Sequence, residues 1–412
     1  MKNILMITLL CLAFFASDIK AQCVFNTGTG EFEGLDGGPC VNTLITALPF
    51  LRINPDARSA GLGDAGLTLS ADPSSMYFNA SKLAFAEDDL GLSVSYTPWL
   101  RSLGLNDVYM AYLSGYKRIN DLSTVGVSLK YFRLGSIQFK GPNSEDLGEG
   151  NPNEFELAGA YTRKLSEKLS VGLTAKFIFS NLAAGQAINN VEITPATAGA
   201  ADISLTYITP IDLQNGDSEL TIAAAATNIG TKVSYTESVN KDFLPANLGV
   251  GVGYKIDLDQ YNQLTFLTDF NKLLVPTPCV GGETICETSG DPDVIDYKEQ
   301  GVIGSIFNSF GDAPDGFGEE IREITYSLGV EYWYDQQFAI RAGYFGEATT
   351  KGNRKYFTLG LGLKYNIFGL NFSYLIPTNS QRSPLDNTLR FGLNFDFGAM
   401  QNGGDLQAKS ML

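Results

Sequence analysis

The residues with most capacity for covalent chemistry are the four of five cysteines that remain once an N-terminal signal carrying Cys11 is removed, in two sequence-local pairs, Cys23 with Cys40 and Cys279 with Cys286. In an exported chain an even count favours disulfides over zinc, so the expected bridges are Cys23–Cys40 and Cys279–Cys286. Histidine is absent, which removes the usual general base, the usual proton shuttle and the commonest metal ligand together. No His-based triad can form, and nothing marks an Asp-pair or Ser-Lys site. The expectation is a protein without catalytic residues, cofactor or metal. Gly61, Gly63 and Gly66 match a dinucleotide fingerprint only superficially, since no strand–helix crossover unit surrounds them. An acidic cluster (Asp291, Asp293, Asp296, Glu299, Asp312, Asp315, Glu319, Glu320 and Glu323) has little basic compensation. Such density suits calcium, yet no ordered Asp-x-Asp-x-Asp-Gly ligand loop is present, and a solvated acidic face is the expectation.

The elements that must carry these groups are strands. From Leu90 onward, segments of about ten residues alternate apolar and polar side chains, the period of a strand with two unlike faces. In Thr388–Phe397, Leu389, Phe391, Leu393, Phe395 and Phe397 share one face, and Arg390, Gly392, Asn394 and Asp396 the other. Similar strands are expected at 90–98, 107–118, 123–135, 154–164, 169–180, 200–209, 218–229, 246–256, 262–271, 323–334, 337–346, 356–365, 368–376 and 387–398. That gives an all-β chain: a transmembrane antiparallel β-barrel of about 14 strands, apolar outside and polar inside. Lys130, Lys176, Lys255, Lys364, Arg390 and Asp396 fall on the inner face. The inner face is also rich in glycine, which leaves room for curvature and for whatever fills the lumen. A net charge of −16 argues against nucleic acid as a partner.

Residues 1–21 read as a secretory signal, with Lys2 ahead of an apolar Ile4–Ala16 run and cleavage before Gln22. The connectors alternate short and long, as outer-membrane barrels do between periplasmic turns and outer loops. This places both termini in the periplasm, residues 90–398 in the barrel and 399–412 in a periplasmic tail. Tyr96, Trp99, Tyr332, Trp333 and Tyr334 lie near strand ends, where an interfacial belt is expected. The extracellular loop 272–322 is exceptionally long. In it Val302, Ile303, Ile306, Phe307 and Phe310 recur at spacings of three and four, predicting a short amphipathic helix within Val294–Phe310.

Residues 41–89 do not read as strands, and 22–89 is expected to form an N-terminal lumenal segment. A small-residue run ahead of the first strand can fold back into the lumen, where Asp56, Arg58 and Asp64 could pair with inner-face Lys and Arg groups. The run Asn54–Gly66 followed by Asp72–Lys82 resembles the N-terminal signature of the FadL-like outer-membrane proteins, most closely the PorV branch of the PorV/PorQ family. The matching positions are Asn54, Asp56, Arg58, Gly61, Gly63, Asp64 and Asn79, which the resemblance implies form a lumenal plug. Ala80 stands where FadL-type transporters tend to carry proline, so their lipid-conducting kink is not implied.

The resemblance implies a fourteen-strand barrel and a role in the type IX secretion system of Bacteroidota. It implies that the protein binds the C-terminal signal domain of secreted cargo at a very large translocon barrel (SprA/Sov-like). Cargo would then pass to an attachment complex that includes a PorU-like sortase, in an outer membrane of lipid and lipopolysaccharide. The expected partner-binding residues are Ile303, Ile306, Phe307 and Phe310, because apolar and aromatic anchors dominate such interfaces. The alternative is a FadL-like transporter of hydrophobic small molecules, which would need an apolar lumenal pocket.

Overall fold

The computed structural model describes residues 23–26, 31–34, 43–101, 104–140, 146–183, 185–188, 191–213, 216–236, 241–278, 297–313, 316–378 and 388–398. Fourteen antiparallel strands close into one barrel. They are β1 (Leu90–Pro98), β2 (Val108–Asn120), β3 (Ser123–Leu134), β4 (Asn153–Lys164), β5 (Leu169–Asn181), β6 (Ala196–Leu213) and β7 (Gly216–Gly230), followed by β8 (Asn247–Asp257), β9 (Asn262–Leu273), β10 (Thr325–Tyr334), β11 (Phe338–Gly346), β12 (Lys355–Tyr365), β13 (Phe368–Pro377) and β14 (Leu389–Phe397). Each pairs with its sequence neighbour. The seam closes between β14 and β1, with Phe391 opposite Tyr96 and Phe397 opposite Leu90. Closure leaves no strand edge unpaired, the condition for a sheet in hydrocarbon.

Alternation sets the two faces. Leu389, Phe391 and Leu393 point outward and are exposed, whereas Arg390 and Asn394 are buried inside. Val127 and Leu129, Leu173 and Phe177, and Leu359, Leu361 and Leu363 continue the apolar exterior. This is an outer-membrane-type exterior. The turns at one end are tight: Asp335 and Gln336 both take left-handed φ (51° and 53°), and Asn366 does the same between β12 and β13 (51°). Short hairpin turns require that conformation, and Asn and Asp tolerate it better than most residues. The opposite, loop end carries the long connectors, and two of them contain small hairpins, Ile137–Lys140 with Asp146–Gly150 and Ala187–Ile188 with Val191–Glu192.

The stretch 43–89 runs through the lumen. At the loop end Leu44 packs with Phe243, Leu273 and Val275, and the Ala47 N–H donates to the Phe243 carbonyl (2.8 Å). Phe50 and Leu51 join an apolar cap with Trp99, Phe132 and Ile178. Further along, short helical turns at Ala57–Ala60, Ser75–Phe78 and Ala80–Phe85 lead to β1 at the turn end. Residue 43 therefore lies at the loop end. Two belt assignments are corrected. Trp99 is buried in the apolar cap, edge-on to Phe132 at 6.2 Å. Trp333 shares the inner face with Glu331, and its ring lies 5.4 Å from the Arg341 guanidinium.

Candidate functional site

The plug follows from local rules. Asp56 caps the Ala57–Ala60 turn by accepting from the Ser59 N–H (2.8 Å) and hydroxyl (2.7 Å), an ordinary N-cap. Asn54 accepts from the Asp56 N–H (2.9 Å) and donates to Asp64 (2.7 Å), tying the two ends of the motif together. Gly63 and Asp64 both have left-handed φ (68° and 63°), which reverses the chain sharply. Asp64 also accepts from the Tyr356 hydroxyl of β12 (2.5 Å).

Arg58 anchors the plug to the wall. Its Nε and Nη2 donate to both carboxylate oxygens of Glu331 on β10 (3.0 and 2.7 Å), and Nη1 donates to Asp72 (3.1 Å). A bidentate guanidinium–carboxylate pair of this kind fixes orientation as well as charge. Glu331 also accepts from Arg341 Nε on β11 (2.6 Å), and Arg341 Nη1 donates to Asn371 (2.9 Å). The expectation that Asp56 and Asp64 pair with basic wall groups is thus corrected. Asp56 is spent on the helix cap and Asp64 on Asn54 and Tyr356, while the plug's cation meets a wall carboxylate. Asp269 of β9 accepts from the Gly66 and Leu67 N–H groups (2.7 and 2.9 Å), and the Thr358 hydroxyl accepts from the Gly63 N–H (2.8 Å). Asn79 donates to the Leu67 carbonyl (2.9 Å) and to Thr206 of β6 (2.8 Å).

Inner-face glycines make this fit possible by close approach. A Cβ on Gly343 of β11 would lie 2.0 Å from the Gly63 nitrogen. One on Gly61 would lie 2.9 Å from the Gly360 Cα. Plug backbone and wall backbone touch where no side chain intervenes. Beneath the plug, a polar vestibule of about 1090 Å³ is lined by Arg58, Asp72, Lys82, Lys255, Lys364 and Asp396, among others.

The second cluster lies at the loop end. A helix, α1 (Val302–Asn308), and a second, α2 (Phe317–Arg322), lie in the long connector. Lys272 Nζ donates to Glu320 (2.8 Å) and Glu323, and Lys351 Nζ donates to Glu319 (2.7 Å) and Glu323 (2.9 Å). The Thr277 hydroxyl donates to Glu323 (2.6 Å). The acidic face expected to be solvated is therefore corrected for Glu319, Glu320 and Glu323, which are buried and paired with two lysines. A pair of cations can hold three carboxylates in this way only with nearly every oxygen hydrogen-bonded. Asp312 accepts from the Thr277 N–H (3.2 Å), and burial lifts its carboxyl to about 6. The opposite holds at Glu347, just past β11, where the neighbouring Arg354 outweighs desolvation and keeps the carboxyl below its ordinary value.

The structure divides the apolar set expected on one helix. Val302 packs inward beside Leu44 and Val275, whereas Ile303 and Phe307, one turn apart on α1, are each 73% exposed. Ile306 is half-buried and Phe310 exposed. Cys40, Cys279 and Cys286 lie outside the described residues, as do Asp291, Asp293, Asp296 and Asp315. Sequence reasoning missed Glu331, Asp269, Thr358 and Lys351. The available signal was a lone acid on an inner face otherwise built of small residues.

The decisive comparison is a match to the family model described as type IX secretion system protein PorV, over residues 40–280, more than half of the chain. The chain belongs to the PorV family. That family is a secretion family rather than an enzyme family, and the matched residues include Asn54–Lys82, which lie in the segment that crosses this lumen. No curated protein sequence matches the chain. Among solved structures it is similar to the Ralstonia pickettii toluene transporter TbuX, at 10% identity and TM-score 0.45, covering 84% of this chain and 98% of that one. A Pseudomonas aeruginosa FadL homologue gives 11% and 0.40, covering 87% of this chain and 100% of that one. The Pseudomonas putida toluene transporter TodX gives 10% and 0.44, covering 82% and 95% respectively.

Proposed function

We propose that this PorV-family barrel is the outer-membrane acceptor for cargo of the type IX secretion system. It binds the folded C-terminal signal domain of an exported protein beside the very large translocon barrel and carries it to the attachment complex with its PorU-like sortase. In this reading the loop end faces the cell exterior and the turn end the periplasm. The observation that carries it is the 73% exposure of Ile303 and Phe307 on α1, an apolar pair of the kind that anchors protein interfaces. The loop beside them is held by buried lysine–glutamate pairs, so the pair is presented with little ordering cost on binding.

Transport of hydrophobic molecules is the less favoured reading, because the space beneath the plug is lined by charged side chains such as Asp72, Lys82, Lys364 and Asp396. Chemistry on the cargo then belongs to another component, and this chain contributes binding alone.

The test is retention of purified C-terminal signal domain on the immobilised barrel in mild detergent. Ile303→Asp with Phe307→Asp is expected to weaken retention at least tenfold, about 1.4 kcal/mol, while the barrel keeps its heat-modifiable mobility on gels. Unchanged retention would remove α1 from the cargo surface.

A further inference from the structure

Helix α2 is inverted relative to a helix packed on a protein core in water. Its acidic residues Glu319 and Glu320, together with Glu323 just beyond it, are 2%, 6% and 3% exposed, whereas Phe317 and Ile321 are 78% and 52% exposed. Phe317, Ile321 and Ile324 recur at spacings of four and three, so they form one stripe. That stripe faces away from the buried lysines Lys272 and Lys351.

The stripe faces the outside of the barrel. Phe310, Phe317, Ile321 and Ile324 form one side of a crevice of about 300 Å³, and Leu248, Val250 and Phe270 form the other. Those three belong to the outward apolar band of β8 and β9, near its loop end. The crevice is thus continuous with the surface that meets hydrocarbon, and its walls are overwhelmingly apolar. Its volume is at the lower end of ligand sites, roughly 300 Å³ upward. An apolar stripe turned outward at this height is unfavourable in water and satisfied in a bilayer, where a polar face would be the costly one.

We propose that this crevice seats an acyl chain of an outer-leaflet lipid, clamping it between the β8–β9 wall and α2. The site goes beyond the secretion reading and does not depend on it. It requires only that the barrel sits in a membrane. The polar network behind α2 acts as the positioning element, since Glu320 and Lys272 border the crevice while bonded to each other.

The experiment uses the full chain in proteoliposomes containing a phosphatidylcholine with a diazirine on its acyl chain, followed by irradiation and peptide mapping. Labelling at Phe270, Phe310, Phe317 and Ile321 is expected to exceed that at the open wall positions Val127 and Leu173 several-fold. Ile321→Ser with Phe317→Ser should bring the crevice signal down to the wall level without changing the wall signal, which also reports that the barrel is folded. Crevice labelling no higher than the wall in the unaltered protein would overturn the proposal. So would native membranes in which a cross-linked protein, rather than lipid, covers these residues.

Discussion

Replacing Arg58 by methionine isolates the plug anchor from the wall that receives it. The side chain gives up two bonds to Glu331, one to Asp72 and one to the Ser70 hydroxyl (2.7 Å). Removing one partner of a buried pair costs roughly 3–5 kcal/mol, because the other charge is stranded. Here Glu331 keeps Arg341 at 2.6 Å, so the loss falls below that range, at about 2–3 kcal/mol. Arg58→Lys should recover only part of it, since an ammonium cannot span Glu331, Asp72 and Ser70 with a planar fork. The assay is amide hydrogen exchange of Ala57–Asp64 in detergent micelles, set against the amides of β10–β12. An opening made easier by that amount speeds plug exchange roughly 30- to 150-fold and leaves the strands unchanged. Unchanged plug exchange would refute the anchor. Equal acceleration of plug and strands would refute the idea that the plug opens as a separate unit.

The contact of backbone on backbone predicts that Gly343→Ala unseats the same segment, because the added carbon would lie 2.0 Å from the Gly63 nitrogen and neither chain can yield cheaply. Overpacking of this kind costs about 1–3 kcal/mol or more, and proteolysis within 54–66 should rise while Ala342→Gly, on the outer face, changes nothing. Asp312 gives a pH dependence with a definite sign. Burial raises its folded value to about 6 from an ordinary value near 4, so the loop is favoured fully below about pH 4 and loses that contribution as pH rises through 6. Amide protection of 316–323 should therefore be higher at pH 5 than at pH 7.5, and Asp312→Asn should flatten the difference.

The wall was legible because alternation is a local property. Thirteen of the fourteen expected spans agree with the strands to within about two residues at each end, and β6 is the exception. It runs Ala196–Leu213 rather than 200–209 because Ala196, Thr197, Ala198 and Gly199 offer too little contrast to declare a face. Pairing with β5, Ala196 opposite Ser180, extends it. The plug motif stood out by composition, yet its partners did not. Glu331 and Thr358 lie hundreds of positions away from Arg58 and Gly63 in the chain, and only barrel closure brings them together. Reading Trp99 as a belt residue failed for a related reason. Its position past the last β1 residue belongs to a bend, where period-two reasoning no longer assigns a side.

The path of residues 43–89 has a consequence for how this molecule is made. The run enters among the long connectors and leaves at the tight turns before β1 begins, with Gly343 and Gly360 pressed against its backbone. A finished cylinder so tightly occupied is a poor vessel to load afterwards. The β-staves are better laid around the peptide, with the last one, β14, meeting β1 only when the cord is already inside. An error in that cord would then surface as a fault in closing the ring.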